Sequence, residues 1–267
     1  MVGDTWQPPA VAACITGHVR TLSITASNIF ETMIAPIRDH VDVFSALSPV
    51  IDDRYPPRNA WHPKYQSQTG PRKNSTTTMT KDRIEQWMHI FSPISVDVET
   101  TTNENEGLHR CFQKVQRRER ERHSLYRFLL RLRPDVAYQT RLPEWPAWWN
   151  LVRHAESSLA LTDVSSPNTS CFKDVWSLMT RAAAAAYFAP SWPPPCAPRT
   201  ATAAWLGTAE CSLGCALHRA NVTAVAVPLQ RLIVRQWHGM SQLPKSTASL
   251  PRLAWDASIG GDSRRFR

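Results

Sequence analysis

The 267-residue sequence has no run of about 20 apolar residues that would cross a bilayer as a helix. Its opening, MVGDTWQPPA, lacks the basic stretch and apolar core of a secretion signal, so the chain as written reads as soluble. An anchor upstream of it would change the compartment. There is no CxxC pair and no finger-like cysteine spacing: Cys14, Cys111, Cys171, Cys196, Cys211 and Cys215 are scattered, which argues against a disulfide framework as the basis of the fold. Neither a GxGxxG fingerprint nor a P-loop occurs, which removes two common glycine-rich phosphate cradles. No internal repeat appears at any period, so solenoids and propellers are excluded.

What remains is ordinary globular material, 42% hydrophobic and 20% charged. Its 31 basic residues against 22 acidic ones leave a net charge of +9, which favours acidic partners: nucleotide phosphates, nucleic acid or an anionic membrane surface. Three N-x-S/T triplets, at Asn74, Asn168 and Asn221, suit glycosylation in a secretory pathway. A chain rich in Ser and Thr also produces such triplets by chance, and the sequence alone favours that reading.

Periodicity supplies the fold. Residues 10–16 (AVAACIT) form an apolar run of the kind found in buried parallel strands, followed by the loop GHVRT. Leu22, Ala26, Ile29, Phe30, Met33 and Ile37 make one helical face, and 41–47 reads as strand again, completing a βαβ unit. Residues 48–80, rich in Pro, Ser, Thr and Asn, read as an excursion at the sheet edge. Then come a helix through Ile84, Trp87, Met88 and Phe91, a strand at 94–98, and a helix from near Leu108 with Phe112 and Val115 on its apolar side. A strand follows at 126–132 (YRFLLRL), ended by Pro134. Further on, a strand is predicted at 158–162, a helix at 175–188 stopped by Pro190, and a helix around 211–218 leading to a strand at 222–227. The alternation predicts an α/β domain over 10–235, with a mostly parallel, doubly wound, Rossmann-like nucleotide-binding sheet flanked by helices. Residues 1–9 read as an extension and 236–267 as a loosely docked tail.

In such sheets ligands bind outside the carboxyl ends of the strands, so the residues just after each strand carry the interest. In Gly17-His18-Val19-Arg20-Thr21 a glycine lets backbone approach a ligand, a helix N-terminus offers N–H groups, and Arg20 can pair with phosphate. A bare turn with a solvated arginine explains the same residues. In Arg131-Leu132-Arg133-Pro134-Asp135 the carboxylate can hold a divalent cation or a ribose hydroxyl and Arg133 can take phosphate charge, while an ordinary Pro-Asp turn is the alternative. Asp174 and Glu210 each open a predicted helix, where a carboxylate serves by default as a cap. Cys211, Cys215 and His218 share a helical face that could bind zinc, but they read better as a packed face. The stretch QRRERER is basic enough to suggest nucleic acid, yet Glu119 and Glu121 interleave it.

The blocks CITGHVRTL, Asp42-Val43-Phe44, the run from Tyr126 to Asp135, then Asp174, Trp176 and Arg181, and finally Glu210, resemble in order and spacing a loosely characterised family of GT-A-like glycosyltransferases and presumed glycosyltransferases. The resemblance implies a GT-A-like sheet that binds a nucleotide-sugar through Gly17, Arg20, Thr21, Arg133 and Asp135. Asp174 and Glu210 become the candidate catalytic carboxylates, and a glycan or other hydroxyl compound the acceptor. It places Asp135 where such enzymes have the last carboxylate of a D-x-D motif, a ligand for Mn or Mg. Here the triplet is Arg133-Pro134-Asp135, and the loss of the first carboxylate puts metal dependence in question. Three functions are therefore carried forward: glycosyl transfer, with no nucleic-acid partner; a degenerate, non-catalytic nucleotide- or glycan-binding protein; and a basic RNA-binding or scaffold protein.

Overall fold

The first apolar run becomes the middle of the sheet. In the computed structural model, which describes residues 10–51, 77–101, 104–148, 157–164, 172–193, 208–227, 229 and 231–233, it forms β1 (Val11–His18). Helix α1 (Leu22–Ile29) follows, continued by a π turn (Phe30–Ile34) and a 3-10 turn (Ala35–His40) into β2 (Val41–Ser48). A helix predicted through residue 37 thus keeps α geometry only to Ile29. Pro36 lacks the N–H that the carbonyl of Thr32 would need, so the i to i−4 ladder cannot continue past it.

The short strands β3 (Val50–Ile51) and β4 (Thr77–Thr78) pair antiparallel and close the base of the predicted excursion, most of which lies outside the described residues. Then come α2 (Lys81–Met88), β5 (Ser95–Val98), α3 (Glu104–Glu121), β6 (Phe128–Leu132), β7 (Val136–Tyr138), β8 (Leu159–Val164) and β9 (Phe172–Thr180). Helices α4 (Arg181–Tyr187) and α5 (Thr208–Arg219) and strands β10 (Thr223–Ala226) and β11 (Arg231–Ile233) complete the described chain. The expected tail, like residues 1–9, lies outside the described residues.

Seven strands form one sheet in the order β10-β8-β9-β6-β1-β2-β5. Every pairing in it is parallel except those of β9, which runs antiparallel to both β6 and β8. The fold is α/β, a mostly parallel sheet between two layers of helices. Leu22, Ala26 and Ile29 of α1 and Ile84 and Met88 of α2 pack with Ile15, Leu130, Leu132 and Trp176 on one face. On the other face Leu108, Phe112 and Val115 of α3, Ala183 of α4, and Leu213 and Leu217 of α5 pack with Ala12, Phe44, Leu129 and Met179.

Two expectations are corrected here. The helix predicted over 175–188 is strand as far as Thr180 and helix only from Arg181, where the alanine run begins. Both faces of β9 are covered, Trp176 and Leu178 entering one layer and Met179 the other, so its sequence shows a continuous apolar run rather than the alternation of a half-exposed strand. Asp174 accordingly stands within β9 and opens no helix.

The cysteines are the second correction. Cys14 of β1 and Cys111 of α3, 97 residues apart and both fully buried, form a disulfide with 6.1 Å between their Cα atoms. Cys211 and Cys215 are disulfide-bonded too, and no described cysteine is free. Residues brought together across 97 positions of sequence leave no spacing signature. Oxidised sulfur is no thiolate ligand, so the zinc reading of Cys211, Cys215 and His218 lapses.

Candidate functional site

Between β1 and β6 the strand order reverses: β2 and β5 extend the sheet to one side of β1, and β6 and its successors to the other. Such a switch point is where open α/β sheets leave a crevice at their carboxyl ends. The parallel register, Val11↔Phe128 through Ile15↔Leu132, brings residues 17–21 and 133–135 out of the sheet side by side. Gly17 sits at φ +133°, and a Cβ placed on it would lie 3.3 Å from Cδ of Pro134. Gly17→Ala is therefore expected to cost about 1–3 kcal/mol through backbone strain, read as a fall in the urea midpoint with the m-value unchanged.

Helix α1 holds the second loop in place. Thr25 Oγ1 donates to the carbonyl of Pro134. Asn28 donates through Nδ2 to the Tyr138 carbonyl at 3.1 Å and accepts the Tyr138 N–H at 2.6 Å. The Tyr138 hydroxyl donates to the Val175 carbonyl at 3.1 Å and accepts the Arg133 N–H at 3.3 Å, tying the end of β6 to β9. None of Thr25, Asn28 and Tyr138 was singled out in the sequence. The signal was present: Thr25, Asn28 and Thr32 fall at i, i+3 and i+7, a polar stripe on a helix whose neighbouring stripe is apolar.

Arg133 and Asp135 hold each other. Arg133 Nε donates to Oδ1 and its Nη2 to Oδ2, both at 2.8 Å, the fork geometry of a strong guanidinium–carboxylate pair. Asp135 is 2% exposed and Arg133 18%, so the pair stands at the rim with its carboxylate inward. Arg20 is 9% exposed and Thr21 fully buried at the start of α1. Arg131, in register between Cys14 and Ser177, is wholly inside the sheet layer.

The two candidate catalytic carboxylates are placed by backbone alone, since their side chains lie outside the described residues. Asp174 is two residues beyond Trp176, the register partner of Leu132, and so belongs to the carboxyl pole of the sheet, level with the 133–135 loop. Glu210 lies in the first turn of α5; the helix ends at Arg219, next to the amino end of β10, so its first turn points to the same pole. Arg181 goes elsewhere. At the start of α4 it pairs with both oxygens of buried Glu119 at 2.8 and 2.9 Å and lies over Phe112, which makes it a brace at the amino pole.

The residues at Asp135 do not fit a divalent cation. A cation there needs several oxygen ligands, whereas both oxygens of this carboxylate already accept from Arg133, and among the described residues no three His, Cys, Asp or Glu side chains gather to hold a metal.

No family model matches the chain, and no curated protein matches it in sequence. Among solved structures it is similar to a mannosyltransferase, PcManGT from Pyrobaculum calidifontis in complex with GDP-Man and Mn2+, with 13% identity and a TM-score of 0.36 over 66% of this chain. The match spans 46% of that protein, less than half its length. At that identity and overlap the likeness assigns neither family nor activity.

Proposed function

We propose that the chain transfers a sugar from a nucleotide-sugar donor to a hydroxyl acceptor, with the donor diphosphate seated between the ends of β1 and β6. The observation that supports this most is the convergence of residues 17–21 with the Arg133–Asp135 pair at the switch point of the sheet. Arg20 and Arg133 bring positive charge, and Gly17, whose missing side chain lets Pro134 pack close to its backbone, keeps the two loops side by side. As the bond from the sugar C1 to the diphosphate oxygen breaks, the leaving group gains charge that a guanidinium fixed by Asp135 is arranged to meet. The acceptor hydroxyl loses its proton to a general base, for which Asp174 and Glu210 are the candidates at this pole. No step requires a metal, in keeping with the engagement of Asp135.

The RNA reading loses support because Arg110 and Arg118 of α3, and Arg122 just after it, are engaged by acidic or aromatic partners. Arg110 pairs with Asp97 at 3.3 Å and also with Glu99. Arg118 pairs with Glu121 at 3.6 Å, and Arg122 lies 3.9 Å from Asp42 and over the Tyr126 ring. Among the described residues no helix is long and apolar enough to cross a membrane.

The test combines binding with turnover. A saturating nucleoside diphosphate is expected to raise the melting temperature by roughly 5 °C or more, equally in EDTA and in Mn2+. One donor in a nucleotide-sugar panel should then be consumed in the presence of an acceptor. Stabilisation without turnover of any donor would leave a binding protein; affinity for RNA that falls steeply with salt, and no stabilisation by nucleotides, would overturn the proposal.

A further inference from the structure

Of the three N-x-S/T triplets, only Asn221-Val222-Thr223 falls within the described residues, and the structure gives it a definite setting. Helix α5 ends in a paired-carbonyl cap: the Asn221 N–H donates to the His218 carbonyl at 3.0 Å and the Val222 N–H to the Leu217 carbonyl at 2.9 Å. Asn221 takes the left-handed conformation, φ +54°, that this cap demands and that asparagine tolerates. Val222 turns inward to the layer containing Leu217, while Asn221 and Thr223 on either side of it are exposed. The cap engages the backbone and leaves the asparagine amide and the threonine hydroxyl facing solvent together.

The second observation is independent of the first. Every described cysteine is oxidised, including a buried pair linking β1 to α3, and such bonds form and persist in oxidising compartments such as the lumen of the secretory pathway. That is also where asparagine-linked glycans are attached.

We propose that Asn221 is an N-glycosylation site. In the transfer the Asn221 amide nitrogen gives up one proton and bonds to C1 of an oligosaccharide carried on a lipid diphosphate. The bond from C1 to the diphosphate oxygen breaks, and the lipid diphosphate leaves with the electron pair. The glycan stands at the amino end of β10, opposite the pole that carries Arg133 and Asp135, so it leaves the candidate site open. It also stands beside the last strand of the sheet among the described residues, where a bulky hydrophilic group obstructs pairing with another chain.

The experiment directs the full chain, behind a cleavable signal sequence, into the secretory pathway of a eukaryotic cell. Glycans are then released enzymatically in 18O-labelled water, and the Asn221 peptide is read by mass spectrometry, separately from those of Asn74 and Asn168. The expected result is labelled conversion of Asn221 to Asp in most molecules, abolished by Thr223→Ala and retained in Thr223→Ser. Asn221→Gly should abolish it while preserving the helix end, since glycine favours the same conformation. An unmodified Asn221 in the wild-type chain, whether secreted or retained, overturns the proposal, as does modification that survives Thr223→Ala.

Discussion

Replacing Cys14 and Cys111 together by alanine is expected to remove about 4–5 kcal/mol of stability, since their bond closes a loop of 97 residues in the unfolded chain. Against a total of about 5–15 kcal/mol for a typical domain, that is a large share. The melting temperature should fall by roughly 10–20 °C, and the denaturant m-value should rise as the untethered chain exposes more surface. The double variant is the right comparison because a reductant would also open the bonds of Cys211 and Cys215. Single variants would leave a lone thiol in a dry layer. A double variant melting within about 2 °C of the parent would show that the tether contributes nothing.

Asp135→Asn is expected to act twice. The amide keeps one acceptor for Arg133 but turns an N–H2 group toward the other guanidinium N–H, so the fork is lost. Breaking a buried pair costs about 3–5 kcal/mol, and partial exposure of Arg133 lowers the expected loss to about 1–3 kcal/mol. From sequence, where Asp135 is only a residue after a proline, the substitution would leave the fold untouched; the bidentate pair changes that expectation. Affinity for a nucleoside diphosphate should drop at least tenfold, because a guanidinium no longer held in place loses its aim at the phosphate. Titration calorimetry on Asp135→Asn beside its melting curve separates the effects. Lower stability with unchanged affinity would make Asp135 a brace for the loop and remove it from the proposed site.

The half of the sheet from β1 to β5 was legible because each strand there is a short apolar run followed by a helix of clear period. The 175–188 segment was misread for a physical reason: β9 is covered on both faces, and a run such as Val175-Trp176-Ser177-Leu178-Met179 ahead of five alanines carries no period that separates strand from helix. Its antiparallel direction is set by pairing with β6 and β8, which are distant in sequence. At the candidate site, Gly17, Arg20, Arg133 and Asp135 were legible as residues just past strand ends. That Arg133 and Asp135 engage each other, and that Asn28 and Thr25 clamp the loop from α1, was not, because contacts across about 110 residues leave no local trace. The disulfide was hidden in the same way.

Strand β11 pairs with β7, the three residues that directly follow Asp135, in the register Arg231↔Tyr138 to Ile233↔Val136. On a ribosome this partner arrives late. The 92 residues between Tyr138 and Arg231 (139–230) take roughly 5–20 s to synthesise, and during that interval the segment behind the Arg133–Asp135 loop has its helix clamp from α1 but lacks its strand partner. A nascent chain arrested before residue 231 is thus expected to hold an ordered sheet centre and a 136–138 segment still without its strand partner.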